Sequence, residues 1–194
     1  TIRPTLFVVA AMLPRADVRD RLIGAARVAD LAQGAGLGTA SPRRTAQLLR
    51  LRPDLIVTLF RGNVATRLAK LERGEADATL LAAAGLDRLG MNDVGAPIAV
   101  DEMLPAPSQG AIGMECRAED EEVRALLSSI NHAATCAAVE AERALLAELG
   151  ADCQSPVAAL ATIEKGGAMQ LRAQLLSMDG SEAVEGEMIL DAGV

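Results

Sequence analysis

The chain has 194 residues, 51% of them hydrophobic, a single histidine, no tryptophan or tyrosine, and a net charge of −7. That length suffices for one or two hydrophobic cores, since domains commonly run ~100 to 150 residues, and the composition is that of a globular protein. An acidic chain whose only aromatic rings are Phe7 and Phe60 is poorly suited to nucleic acid, which calls for basic surfaces and stacking platforms.

No apolar run approaches the ~20 residues of a membrane-spanning helix. The stretch from Leu6 to Leu13 is closed by Pro14, and it lacks the basic flank and cleavage site of a secretory signal. These features point to a cytoplasmic protein. Cys116, Cys136 and Cys153 form no CxxC pair and are odd in number, which argues against a disulfide framework and a structural zinc site. His132, four residues before Cys136, supplies only a two-ligand pair, so no metal is expected. No nucleophile elbow accompanies that single histidine, so a Ser-His-Asp triad is not expected either.

In chain order, residues 5–12 (TLFVVAAM) predict a buried strand, 14–20 a turn, and 21–31 a weakly patterned helix or loop. Ser41 as N-cap and Pro42 at the first helical position predict a helix to about Arg52, stopped by Pro53. LIVTLF (55–60) predicts a buried strand, RGN a turn, Val64 to Arg73 a helix closed by Gly74, and Ala78 to Ala82 another strand. Strand and helix alternation of this kind predicts a parallel or mixed α/β sheet. After an irregular stretch beyond Gly90, GAIGMEC (110–116) returns as a strand, and 119–130 and 134–149 are helical by their apolar spacing. The period then changes to two, and VAALATI, AMQLRAQLLSM and EAVEGEMIL predict three antiparallel strands joined by turns at Gly166-Gly167 and Asp179-Gly180. The last third is thus a small α+β domain.

The charge distribution is uneven. Arg43, Arg44, Arg50, Arg52, Arg61, Arg67, Lys70 and Arg73 face only Asp54 and Glu72 within residues 43–73, a local net charge of +6 in an acidic chain. Seventeen of the nineteen basic residues are arginine, whose rigid fork grips carboxylate or phosphate with two prongs. Arg43 and Arg44 fall in the first helical turn, where cations are unfavourable by ~0.3 to 1 kcal/mol each. An anion at that helix end reverses the sign, because charge-assisted hydrogen bonds return ~1.5 to 3 kcal/mol apiece. Arg61 and Arg67 follow the next strand, at the carboxyl edge where α/β sheets bind ligands. The competing reading is a set of solvated helix faces. Cys153, in the loop GADCQSPV, is either a small buried hydrophobe or, facing a cleft, a nucleophilic anchor.

Four blocks carry a resemblance: GTASPRRTAQLLRLRPDL, LFRGNVATRLAKLERGEADATLLAAAGLDRLG, LPAPSQGAIGMECR and AERALLAELGADCQSPVAA. In order and content they resemble the porphobilinogen deaminase (hydroxymethylbilane synthase) family, and they cover nearly the whole chain. The resemblance implies a transferase of tetrapyrrole (porphyrin, heme) biosynthesis that condenses four porphobilinogens, with loss of ammonia, into hydroxymethylbilane on a dipyrromethane primer. It implies a lobe like that of periplasmic binding proteins at 16–105 and an α+β domain at 129–194 bearing the anchoring cysteine. Residues 1–15 and 106–128 would then be parts of a further domain. By the match Cys153 anchors the cofactor, and Arg43, Arg44, Arg61 and Arg67, with Thr39, Ser41 and Gly62, surround its acetate and propionate groups. Arg88, Gln109 and Gly110 are carried over to the substrate side.

The family's catalytic aspartate lies in a segment approximating HSxKDxP, expected upstream of Thr1, so no catalytic residue is assigned in this chain. Asp17 and Asp20 fit a position just downstream and are not candidates for that role. On this expectation the chain is a truncated family member, inactive alone and prone to self-association through strands whose partners lie elsewhere, whereas the full-length protein is a monomer. A reading from another class stays open: a non-catalytic anion-binding module.

Overall fold

The computed structural model describes residues 6–164 and 166–190. Two antiparallel strands come from opposite parts of the sequence, β1 (Phe7–Met12) and β7 (Gly113–Arg117), with a bulge between Val9 and Ala11. Among the described residues they pair only with each other, and Leu6 and Phe7 are 68% and 45% exposed. The chain leaves and returns along one track, because Leu13 N donates to Ile112 O and Ala16 N to Gly110 O, each at 3.1 Å. Gly110, at φ +83°, is required there: a Cβ would come within 2.7 Å of Ala16 O. The strand predicted at 110–116 therefore begins only at Gly113, the first three residues being used in this crossing.

The main sheet has the order β4-β3-β5-β2-β6, from β2 (Asp20–Ile23), β3 (Gly36–Thr39), β4 (Ile56–Leu59), β5 (Ala78–Ala82) and β6 (Ala96–Pro97). β3 runs parallel to β4 and β5, whereas β2 is antiparallel to β5 and β6. The sheet is thus mixed, with helices α1 (Pro42–Leu51), α2 (Val64–Glu72) and α3 (Ala83–Arg88) between its strands. β2 departs from the loop or weak helix expected over 21–31. Four residues are too few to show a period in sequence, yet burial alternates along them, with Asp20 and Leu22 facing in, and a short 3-10 turn follows at Val28–Asp30. β4 corrects a second expectation. It is an edge strand, so Ile56 and Leu59 are 62% and 59% exposed, while Leu55 and Phe60, just outside its ends, are buried.

Leu22, Leu37, Leu48 and Leu80 are fully buried between α1 and the sheet, each contributing roughly 2 kcal/mol of transfer free energy. The Phe60 ring fills the space over Gly38 where a Cβ would stand. α1 begins as expected: the Ser41 hydroxyl accepts from Arg44 N, with Pro42 next in line.

Two further helices, α4 (Glu121–Ser128) and α5 (Ala133–Glu148), precede the C-terminal sheet. Asp120 caps α4, and Glu121 and Glu122 suit the positive end of its dipole. His132 caps α5, its Nδ1 accepting from Thr135 N at 3.2 Å. The sheet, of order β10-β9-β8, is antiparallel throughout, from β8 (Val157–Ile163), β9 (Met169–Leu176) and β10 (Ala183–Leu190). α5 packs against β8, and Ala138 and Val139 on the helix and the run from Val157 to Ala161 on the strand are all buried. The β9–β10 turn seats on α1: Gly180, at φ +72°, lies so close to Ala46 O that no side chain fits.

Candidate functional site

Two buried ionic clusters organise the region where α1, α5 and the crossing segments meet. In the first, the Glu142 carboxylate on α5 is inaccessible to solvent and accepts from Arg15 Nη1 (2.7 Å) and Nη2 (3.0 Å), Ser108 N (2.5 Å) and Ala161 N (2.8 Å). One cation meets one anion, and every carboxylate oxygen is used. Ser108 holds φ +67°, the only described non-glycine residue in the left-handed region, a strained geometry maintained by its bond to Glu142.

The second cluster is unequal. Arg43 and Arg44, only 3% and 8% exposed, share the buried carboxylate of Asp20 on β2. Arg43 Nη2 donates to Asp20 Oδ2 and Arg44 Nη2 to Oδ1, both at 2.7 Å, and Gln109 Nε2 donates to Oδ1 at 3.1 Å. Arg43 Nη1 is also bonded to Leu104 O at 2.7 Å. The Nε atoms of both arginines are buried without a partner. Burial pushes the Asp20 carboxyl up, but the fields of Arg44 and Arg43 and their hydrogen bonds outweigh it and hold the group at about 2. Burial likewise pulls the Arg43 guanidinium down from its usual range, against Asp20 and with the help of Arg44. Two cations and one anion leave a single positive charge uncompensated in a nearly dry site, which is costly without a counter-ion.

A cavity of about 740 Å³ opens beside this cluster, and Ser41, Arg43, Ser108, Arg143, Cys153 and Ser155 are in its wall. Cys153 is exposed. Its loop starts at Gly150, whose φ of +60° ends α5, and is shaped by Asp152, whose Oδ1 accepts from Gln154 N at 2.8 Å and from Ser155 Oγ at 3.3 Å. Asp152 is the one acidic residue of the wall. Arg143 makes no ion pair among the described residues.

The sequence-predicted residues are thus brought together in part. Ser41, Arg43 and Cys153 share one cavity, and Arg44 joins through Asp20. Burial, and after it the field of Arg44, lowers the ionisation range of Arg67, which donates to Gly62 O at 2.9 Å. Gly62, at φ +119°, could carry no side chain without striking Thr66. Thr39 is buried at the end of β3, its hydroxyl accepting from Ser41 N. Arg61 is exposed and Arg88 donates to Gly110 O at 3.1 Å; neither belongs to the cavity wall. Gln109 is spent on Asp20 and on Val18 O rather than on open space. Sequence reasoning missed Arg143, Glu142 and the inward-facing Asp20. Two adjacent arginines in a first helical turn were themselves a signal that a buried carboxylate stood nearby.

The model of "Porphobilinogen deaminase, dipyromethane cofactor binding domain" matches residues 1–125, and that of "Porphobilinogen deaminase, C-terminal domain" matches residues 136–192. The chain belongs to the porphobilinogen deaminase family. It is similar to the porphobilinogen deaminase of Sphingopyxis alaskensis, 59% identical over 200 residues, covering 100% of this chain and 64% of the relative. The Paracoccus denitrificans porphobilinogen deaminase is 48% identical over 192 residues, 97% of this chain and 61% of that protein, and the Nitrobacter hamburgensis one is 46% identical over 188 residues, 95% and 59%. The chain therefore spans about three-fifths of the length of these relatives. The first family model ends within α4 and the second begins within α5, so the match to the cofactor-binding domain contains Arg43, Arg44 and Asp20 while the match to the C-terminal domain contains Cys153. No helix of the described residues is long and apolar enough to cross a membrane.

Proposed function

We propose that this chain binds a dipyrromethane through a thioether at Cys153 and serves the stepwise deaminating condensation of porphobilinogen into hydroxymethylbilane. The observation that carries the reading is the shared cavity of Cys153 and Arg43, next to a buried cluster with one positive charge to spare. The residues fit the group. An exposed thiol gives it an anchor, about 740 Å³ gives it room, and guanidinium groups with orphaned donors match its carboxylates. When bound, a dipyrromethane supplies the free pyrrole α-carbon that attacks the next deaminated pyrrole. Arg43 and Arg44 hold the acidic side chains of the first rings, Ser41 and Thr39 shape the α1 end, and Arg61 and Arg67, with Gly62 leaving their loop free of side-chain bulk, meet later carboxylates. Arg88, with Gly110 whose carbonyl it reaches, lies on the side of incoming porphobilinogen, and Gln109 supports that side through its bonds to Asp20 and Val18 O. The reading includes a periplasmic-binding-protein-like lobe at 16–105, parts of a second domain at 1–15 and 106–128, a cysteine-bearing domain at 129–194, and a cytoplasmic setting.

Intact-mass measurement of the chain incubated with porphobilinogen, beside Cys153→Ser, tests the anchor. A dipyrromethane adduct mapped to Cys153 and lost in the variant supports it. An adduct on Cys116 or Cys136, or one that persists in Cys153→Ser, overturns it, as does an unmodified Cys153 in an active parent protein.

A further inference from the structure

The carboxylate between Arg43 and Arg44 has no place in the binding roles assigned above, and like that of Glu142 it is buried. Asp20 is 2% exposed and stands on β2, an element separate from the helix that carries the arginines. Each of its oxygens takes one guanidinium, and Gln109 completes Oδ1. Without this carboxylate two guanidinium groups on consecutive residues would repel each other inside a helix N-terminus that is itself positive. With it, both are fixed, and the pair is left with one net positive charge.

We infer that Asp20 is a positioning residue for ligand binding: it clamps Arg43 and Arg44 into a preformed carboxylate receptor and sets its charge so that the pair accepts one ligand carboxylate. The inference rests on the proposed function in taking the ligand to be a carboxylate-bearing pyrrole. Its physical basis is pre-organisation. A receptor whose side chains are already ordered loses less entropy on binding, and long arginine side chains have much to lose. The geometry supports a division of labour. Arg43 has both terminal nitrogens committed, to Asp20 and to Leu104 O, whereas Arg44 commits only Nη2. Arg44 thus has more donor capacity left for a ligand, while Arg43, the member in the cavity wall, keeps its unpartnered Nε. Among the described residues the side-chain partners of Asp20 are Arg43, Arg44 and Gln109, none of them in the Cys153 loop, so it is assigned no part in covalent attachment.

Calorimetric titration of the chain with porphobilinogen and with its dimethyl ester tests this. Wild-type protein is expected to bind the diacid and not the ester; equal binding of both overturns the carboxylate reading itself, whatever Asp20 does. Given that discrimination, Asp20→Ala is expected to weaken diacid binding at least tenfold, and formate is expected to act with opposite sign in the two proteins. In wild type formate competes and weakens binding, whereas in Asp20→Ala it occupies the vacated position and strengthens binding. A merely structural role for Asp20 would give no such reversal. Asp20→Glu, which keeps the charge but lengthens the side chain by one methylene, provides the measurement if Asp20→Ala does not fold: it should keep the far-ultraviolet dichroism of wild type and lose affinity severalfold. Wild-type affinity in either variant, or formate inhibition of Asp20→Ala like that of wild type, overturns the inference.

Discussion

The two buried ionic clusters differ in arithmetic, and the difference separates architecture from binding. Arg15 and Glu142 are matched one to one, with backbone N–H groups of Ser108 and Ala161 filling the remaining acceptor positions. They tie the segment after β1 to α5 and β8, and no ligand is needed to balance them. Arg43, Arg44 and Asp20 are matched two to one, with two orphaned Nε donors and a cavity alongside. A buried cluster that is complete stabilises a fold. One that lacks an anion has the charge to accept one from outside, which is what the proposed binding role requires.

Breaking the complete cluster should have the largest effect on stability. Arg15→Gln leaves Glu142 buried without its cation and should cost about 3 to 5 kcal/mol, read as a shifted urea midpoint at unchanged slope. The loss should not depend on added porphobilinogen. Asp20 comes next through pH. Its folded-state ionisation at about 2 lies below the ordinary 3.8, so its contribution is fully present above about pH 4 and fades as pH falls toward 2. That contribution is about 2 kcal/mol. The stability difference between wild type and Asp20→Asn should therefore narrow over that window and stay level from pH 5 to 7. A difference that grows with acid would contradict the assignment.

Arg44→Gln sharpens the contrast from the other side. It leaves Arg43 and Asp20 as a one-to-one pair, so its stability cost should be small, about 1 kcal/mol or less, because the uncompensated charge goes with the hydrogen bond. Its response to ligand should collapse. Wild type at a hundredfold excess of ligand over Kd gains about 2.7 kcal/mol by linkage, and Arg44→Gln should gain little. A melting series with and without porphobilinogen separates the two outcomes.

How much of this was legible in the sequence depends on the range of the interactions. Ser41, Pro42 and the turn glycines act within a few residues, so α1, α2 and the Cys153 loop could be placed from the chain alone. Asp20 could not, because its partners Arg43 and Arg44 are 23 and 24 residues away and a four-residue strand shows no period. Glu142 reads as a solvated helix residue in AAVEAERALLAEL; its burial is decided by Arg15, 127 residues distant. The apolar run at 55–60 reads as a buried strand for a related reason: hydrophobicity does not reveal which strand lies at the edge. The cationic stretch itself proved to be a mixture. Arg52 is paired with Asp54 at 2.7 Å and Arg73 with Glu75 at 2.5 Å, which leaves far fewer cations free for a ligand than the charge count implied.

Arg61 marks the smallest structural effect. It follows β4, is exposed, and makes no ion pair among the described residues, so nothing in the fold depends on its charge, and Arg61→Ala should melt with wild type within the error of the measurement. Its absence from the cavity wall sets it apart from Arg43. An exposed arginine screened by salt has no fixed orientation and meets a ligand carboxylate only as the ligand extends toward it. The expected loss in porphobilinogen affinity is therefore smaller than for Arg44→Gln and should disappear as ionic strength rises, whereas the Arg44→Gln loss should persist because its guanidinium is shielded from salt. Titrations at low and high salt give the decisive pair of numbers: equal salt sensitivity at the two positions would mean that burial does not distinguish them, and the two-to-one cluster would lose its special standing.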